Sequence, residues 1–169
     1  MKINSSCLKI ENLWMKIKKC GVNDIVGGIY RHPNQKIVEF TSVLDMVKSE
    51  VSNQKVKCII AGDFNIDLTK CTVSNDTSTY VDNLIMNNFM PTALMPTRIT
   101  SLSATLIDYI YYYEGCNRSS ATNVYNGNIL CDFISDHLPS YTLIMSKHEM
   151  SKKSRPFVRI FFLEEYGNI

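Results

Sequence analysis

The sequence predicts an α/β (α+β) layered domain, and three observations carry that prediction. Residues 36–52, KIVEFTSVLDMVKSEVS, space Ile37, Phe40, Val43, Leu44 and Val47 as one face of a helix. Directly after it, residues 56–61 form a short apolar run that ends abruptly in Gly62-Asp63-Phe64-Asn65, as a buried strand does. Residues 105–113, TLIDYIYYY, are rich in the β-branched and aromatic side chains that suit a pleated surface. Strands alternate with helices in the first half of the chain and dominate the second, which is the pattern of helices packed on a sheet.

In chain order, residues 7–18 alternate imperfectly, with Leu8, Ile10, Leu13, Met15 and Ile17 apolar, and read as one or two strands near a sheet edge. Ile25, Val26, Ile29 and Tyr30 form a short strand that Arg31-His32-Pro33-Asn34 breaks. After the helix and the strand described above, the polar residues 69–79 read as a loop. Residues 80–89 fit a second short helix with Tyr80, Leu84, Ile85 and Phe89 inward. Met90-Pro91 and Met95-Pro96 punctuate a loop before the aromatic strand. Residues 121–134 give a weaker strand and residues 139–145 another. The basic stretch that opens residues 147–169 marks a boundary, so that residues 1–146 form the domain.

Bulk properties narrow the class without choosing a function. The chain has 169 residues, enough for one domain with a real core, and a net charge of +2. That charge neither demands nor excludes a nucleic-acid partner, because local patches bind phosphate without a large net charge. The six cysteines have no C-x-x-C pair and no histidine at zinc spacing, so they read as reduced thiols. No apolar h-region opens the chain and no run approaches a membrane span, so the expected location is nucleus or cytoplasm, without secretion.

The candidate chemistry begins at the end of the first buried strand. In open α/β sheets ligands gather beyond the carboxyl ends of strands. Gly62 allows a tight path there, and Asp63 and Asn65, two apart, project the same way if the extended conformation continues. On these residues alone an Asx-rich turn accounts for the pattern equally well. Two later stretches add weight. Asp108 lies within the apolar Ile107-Asp108-Tyr109-Ile110, where a carboxylate needs a cation or a histidine. Asp136 and His137, in Ser135-Asp136-His137-Leu138-Pro139, supply one. An aspartate that accepts from a ring N–H orients the ring and raises its basicity. Together these residues read as a site for phosphate and a hard divalent cation.

The order IYRHPN, AGDFN, LIDYIY, SDHLP resembles the endonuclease/exonuclease/phosphatase superfamily, and more narrowly the apurinic-like endonuclease domain of non-LTR (LINE-type) retrotransposons. The resemblance implies a four-layer α/β sandwich and Mg²⁺- or Mn²⁺-assisted hydrolysis of a phosphodiester in DNA. It implies that Tyr30 contacts the scissile phosphate, that Asp63 orients or deprotonates the attacking water and that Asn65 holds phosphate and water. It further implies that Asp108 pairs with His137, that His137 stabilises charge in the transition state, and that Asp136 lies at the metal site. Arg31 and Arg98 would contact the DNA backbone. The end, RPFVRIFFLEEYGN, resembles the connector that precedes a reverse transcriptase, the implied partner within a parent polyprotein; the domain itself is expected to be monomeric.

One departure from the family pattern counts. The family's principal metal-binding glutamate belongs to a first quarter that has no counterpart here, and Glu11 falls in the later edge-strand region. The expectation is a domain lacking its first strands, weak or inactive as a nuclease. Two alternatives stand beside it: a non-catalytic fragment that binds DNA or a partner, and a phosphatase of the same superfamily.

Overall fold

In the computed structural model, residues 10–19, 22–92, 94–115, 123–129 and 135–145 are described. Five strands form the central sheet, in the order β1 (Glu11–Lys19), β2 (Val22–Tyr30), β3 (Cys58–Asp63), β7 (Asp108–Tyr113), β4 (Met90–Pro91). β1 (Glu11–Lys19) lies at one edge and pairs antiparallel with β2 (Val22–Tyr30). From β2 the chain crosses through α1 (Ile37–Gln54) to β3 (Cys58–Asp63), which runs parallel to β2. α2 (Asn75–Met86) follows a 3-10 turn at Leu68–Lys70. β4 (Met90–Pro91) then caps the far edge against β7 (Asp108–Tyr113), which is antiparallel to β3. β5 (Arg98–Ile99) and β6 (Ala104–Thr105) make a small ribbon. β8 (Asn123–Asn128) and β9 (Ser140–Met145) pair with each other. Thr92, beyond β4, shares a 2.7 Å hydroxyl contact with Thr142 of β9. The mixed α+β architecture matches expectation.

Alternation along the strands sorts side chains onto two faces. Ile25 and Ile29 of β2, Cys58 and Ile60 of β3, and Tyr109, Tyr111 and Tyr113 of β7 are buried under the helices. There they meet Phe40, Leu44 and Val51 of α1 and Tyr80 and Leu84 of α2. Three tyrosine hydroxyls in this core have partners: those of Tyr80 and Tyr111 lie 3.1 Å apart, and Tyr109 donates to the Ile66 carbonyl. Burial pushes the Cys58 thiol up to about 12, which keeps it protonated and inert. The other face is more open. Leu13, Met15 and Ile17 of β1 are exposed on it.

Three expectations shift. β3 continues through Asp63 rather than ending before it. α2 begins within the stretch expected as loop, because Ser74 caps it by accepting from the Thr77 N–H, a polar start that hydrophobic spacing does not reveal. The helix ends at Met86, leaving Ile85 exposed, while Asn88 turns left-handed (φ 59°) to send Phe89 into the core. Of the strand expected over 121–134, residues 123–128 are seen as β8; residues 121–122, 130–134 and the segment after Met145 lie outside the described residues. Among the described residues, no helix is long and apolar enough to cross a membrane.

Gly62 is fixed by packing rather than by its own dihedrals. A Cβ there would stand 1.7 Å from the carbonyl oxygen of Ile29 on the neighbouring strand. Backbone cannot yield as a flexible side chain can, so Gly62→Ala must push β2 and β3 apart. The expected cost is about 3 kcal/mol, the upper part of the overpacking range, read as a lower denaturant midpoint with an unchanged slope.

Candidate active site

The site begins with a register. At one end of the sheet Glu11 faces Tyr30, Tyr30 faces Asp63, and Asp63 faces Asp108, a single row across four strands. Partners in register share a face, so these side chains stand together on the side away from the helices. Tyr30, at the end of its strand, is exposed, whereas Asp63 and Asp108 are half-buried.

The chain turns sharply after Asp63. Phe64 is wholly buried, stacked on Tyr109 with ring centres 4.8 Å apart and edge-on to Phe40 and Tyr111. Asn65 then adopts a left-handed conformation, φ 49°, which asparagine tolerates better than most residues. The extended conformation on which Asp63 and Asn65 were to share a direction therefore does not continue. They are joined by a turn instead: the Asn65 N–H donates to Asp63 Oδ1 at 3.0 Å, and Asn65 Nδ2 donates to the Arg31 carbonyl at 2.9 Å.

The second half of the site arrives from the ribbon. The Leu138 N–H donates to the Thr97 carbonyl and the Ile99 N–H to the Asp136 carbonyl, which stitches the loop before β9 onto β5. That seating brings His137 Nδ1 to 3.0 Å from Asp108 Oδ2 and 3.2 Å from Oδ1. A carboxylate only accepts, so Nδ1–H donates and Nε2 is the nitrogen left to face a ligand. The pairing of Asp108 with His137 expected from the apolar strand is thus present in the geometry.

Thr97 escaped the sequence reading. It is fully buried; its Oγ1 donates to Asp108 Oδ2 at 2.8 Å and accepts from the N–H groups of Ile107 and Asp108. The only signal for it was indirect, the need of an aspartate in an apolar strand for donors. Asp136 and Arg98 stand outside the row. Their side chains form an exposed ion pair at 2.7 Å, and that hydrogen bond holds the Asp136 carboxyl below the usual carboxylate range. Arg31 corrects an expectation. It is 3% exposed, with its guanidinium turned onto backbone carbonyls, and so has no surface to offer a DNA phosphate.

Asp63, Asp108 and His137 each offer a ligand atom, and these atoms lie within 4.8 Å of one another. Two carboxylates this close repel, and a divalent cation would relieve that repulsion. The donor set therefore fits a hard cation held by Asp63 and Asp108 and completed by water or substrate oxygens. Burial, and secondarily the charge of Asp108, push the Asp63 carboxyl up, against the pull of the Asn65 N–H and of His137.

A carboxyl whose folded pKa is raised stabilises the fold when protonated and weakens it once ionised. Asp63→Asn keeps the oxygen that accepts from Asn65 and removes the charge. In metal-free buffer the variant should melt above the parent at neutral pH, and the difference should shrink as pH falls toward the ordinary carboxylate range. Calorimetry of both proteins across that window checks the sign; a difference that widens on acidification contradicts it.

No protein-family model matches the sequence, and no protein of curated function does. Solved structures do match in fold. One is the endonuclease domain of TRAS1, a telomere-specific non-LTR retrotransposon, at TM-score 0.58 and 12% identity, covering 81% of this chain and 67% of that one. Another is an endonuclease/exonuclease/phosphatase family protein from Leptotrichia buccalis, at TM-score 0.54 and 16% identity, covering 79% of this chain and 53% of that one. A third is a variant of beta toxin from Staphylococcus aureus with bound magnesium ions, at TM-score 0.51 and 15% identity, covering 79% and 57%. The chain thus spans about two thirds of the first and just over half of the other two. From the mixed sheet, its one-sided helix layer and these likenesses, the chain carries the endonuclease/exonuclease/phosphatase fold.

Proposed function

We propose that this chain is a phosphodiester hydrolase acting on DNA, the nicking endonuclease domain of a retrotransposon polyprotein. The observation that carries the reading is the row Tyr30–Asp63–Asp108 with His137 bonded to Asp108, four side chains from two halves of the fold converging on one sheet end. The fold shared with the TRAS1 endonuclease domain favours DNA as substrate; a reverse transcriptase as polyprotein partner rests on the resemblance of the segment RPFVRIFFLEEYGN alone.

Each residue has a task that its surroundings suit. Asp63, a half-buried carboxylate at the end of its strand, would orient the attacking water. Asn65, whose Nδ2 donates to the Arg31 carbonyl, would hold phosphate and water through the rest of its amide. In its imidazolium form His137 donates from both nitrogens, Nδ1–H to Asp108 and Nε2–H to a phosphate oxygen, where it stabilises the charge that develops in an in-line displacement. Tyr30, exposed beside Asp63, is placed to donate to the same phosphate. Mg²⁺ or Mn²⁺, held by Asp63 and Asp108, would neutralise negative charge on the reacting oxygens. Arg98, half-exposed and ion-paired with Asp136, would contact the DNA backbone by exchanging that partner for a phosphate.

The test is nicking of supercoiled plasmid by the purified chain, with Mg²⁺ and with EDTA. Metal-dependent nicking should fall by about a hundredfold or more in His137→Ala and in Asp63→Ala, consistent with loss of a charge-stabilising donor or a general base. Nicking that survives both substitutions would remove this site from the reaction. DNA binding without nicking by the folded parent would favour a non-catalytic DNA-binding fragment. Release of phosphate from small phosphomonoesters would favour a phosphatase.

A further inference from the structure

Arg31 is buried, yet among the described residues no carboxylate lies within ion-pair distance of it. Its charge is spent on carbonyls from two segments. Nη1 donates to Phe64 O at 3.2 Å and to Asn65 O at 3.0 Å, and Nη2 donates to Gln35 O. Nε has no partner, and the guanidinium carbon lies 6.0 Å from the centre of the Phe40 ring. The backbone of the same residue closes a second loop of contacts: its N–H donates to Asp63 O at 3.0 Å, and its carbonyl accepts from Asn65 Nδ2.

A buried cation without a counter-ion costs the fold stability, so what it holds in place matters. Residues 63–65, the end of β3 and the turn after it, are gripped by Arg31: Asp63 through its carbonyl, Phe64 through its carbonyl, Asn65 through its carbonyl and its amide. The last of these, Asn65, has φ 49°, a conformation that a non-glycine residue keeps only when its surroundings impose it.

We propose that Arg31 is a positioning residue of the site: its planar fork and its backbone together lock residues 63–65 in the left-handed turn that sets the Asp63 carboxylate beside Asn65. The chemical consequence rests on the hydrolase reading above; the geometric one does not. Lysine cannot substitute, because one ammonium cannot span acceptors on the 35 and 64–65 segments as a rigid fork does.

The test is Arg31→Lys, with two readouts. The first is amide exchange by ¹⁵N NMR in the metal-free protein. The Asn65 N–H should exchange at least about tenfold faster in the variant, while the amides of α2 keep their protection. The second is nicking kinetics. Loss of about tenfold to a hundredfold should appear in kcat with KM little changed, as displacement of a catalytic group gives. Asn65→Ala added to Arg31→Lys should cost less than Asn65→Ala alone, because both act through one turn. Unchanged Asn65 exchange in a folded variant, or losses that simply add, would overturn the proposal. If the parent does not nick, the hydrolase reading fails, and the exchange measurement still decides the role of Arg31. If Arg31→Lys does not fold, Arg31→Gln, which drops the charge and keeps two N–H donors, replaces it. Failure of both to fold would make Arg31 a residue of the core alone and would also overturn the proposal.

Discussion

Everything at the candidate site follows from the way Phe64 enters the core. Strand alternation would carry the chain straight past the sheet end. Instead a wholly buried ring stacked on Tyr109 pins the backbone one residue after Asp63. An aromatic side chain of this kind supplies much of the burial energy of its neighbourhood. Because Phe64 is anchored on the helix side, Asp63 must stand on the opposite face, and Asn65 must turn back. The same anchor lines β7 against β3, which sets Asp108 directly across from Asp63. Core packing and site geometry are therefore one constraint seen from two faces of the sheet.

Much of this was legible in the sequence where local pattern and chemistry agreed. The apolar run before Gly62 and the helical spacing of Phe40, Leu44 and Val47 are period signals, and the structure follows them. The need of Asp108 for a partner was readable because a carboxylate in an apolar strand violates a strong rule, and His137 is where that rule pointed. What escaped has a common physical character. The direction of Asn65 depends on a left-handed turn imposed by contacts with Arg31, thirty-four positions away. The burial of Arg31 depends on carbonyls, which sequence does not display. Thr97 acts through a hydroxyl whose partners are set by tertiary seating of the ribbon. The polar start of α2 hid from hydrophobic spacing because its cap is a Ser74 hydroxyl.

Electrostatics ties the halves together. Asp63 and Asp108 face each other across β3 and β7, and their repulsion is moderated from two sides, by the Asn65 N–H on one carboxylate and by His137 and Thr97 on the other. The strand carrying Asp63 and the loop carrying His137 thus meet through a charge balance as well as through backbone bonds. A fold that holds two like charges in register does so at the expense of stability, a common trade at sites that must bind cations or phosphate.

The two halves are not anchored equally. Asp63 and Asp108 belong to strands inside a five-stranded sheet, whereas His137 is held by a loop stitched to a ribbon of two residues per strand. A two-stranded ribbon is marginally stable on its own. The free energy that opens the Ser135–Pro139 loop is accordingly far smaller than that which unfolds the sheet. Warming is therefore expected to release the imidazole in a local event before the carboxylates lose their register.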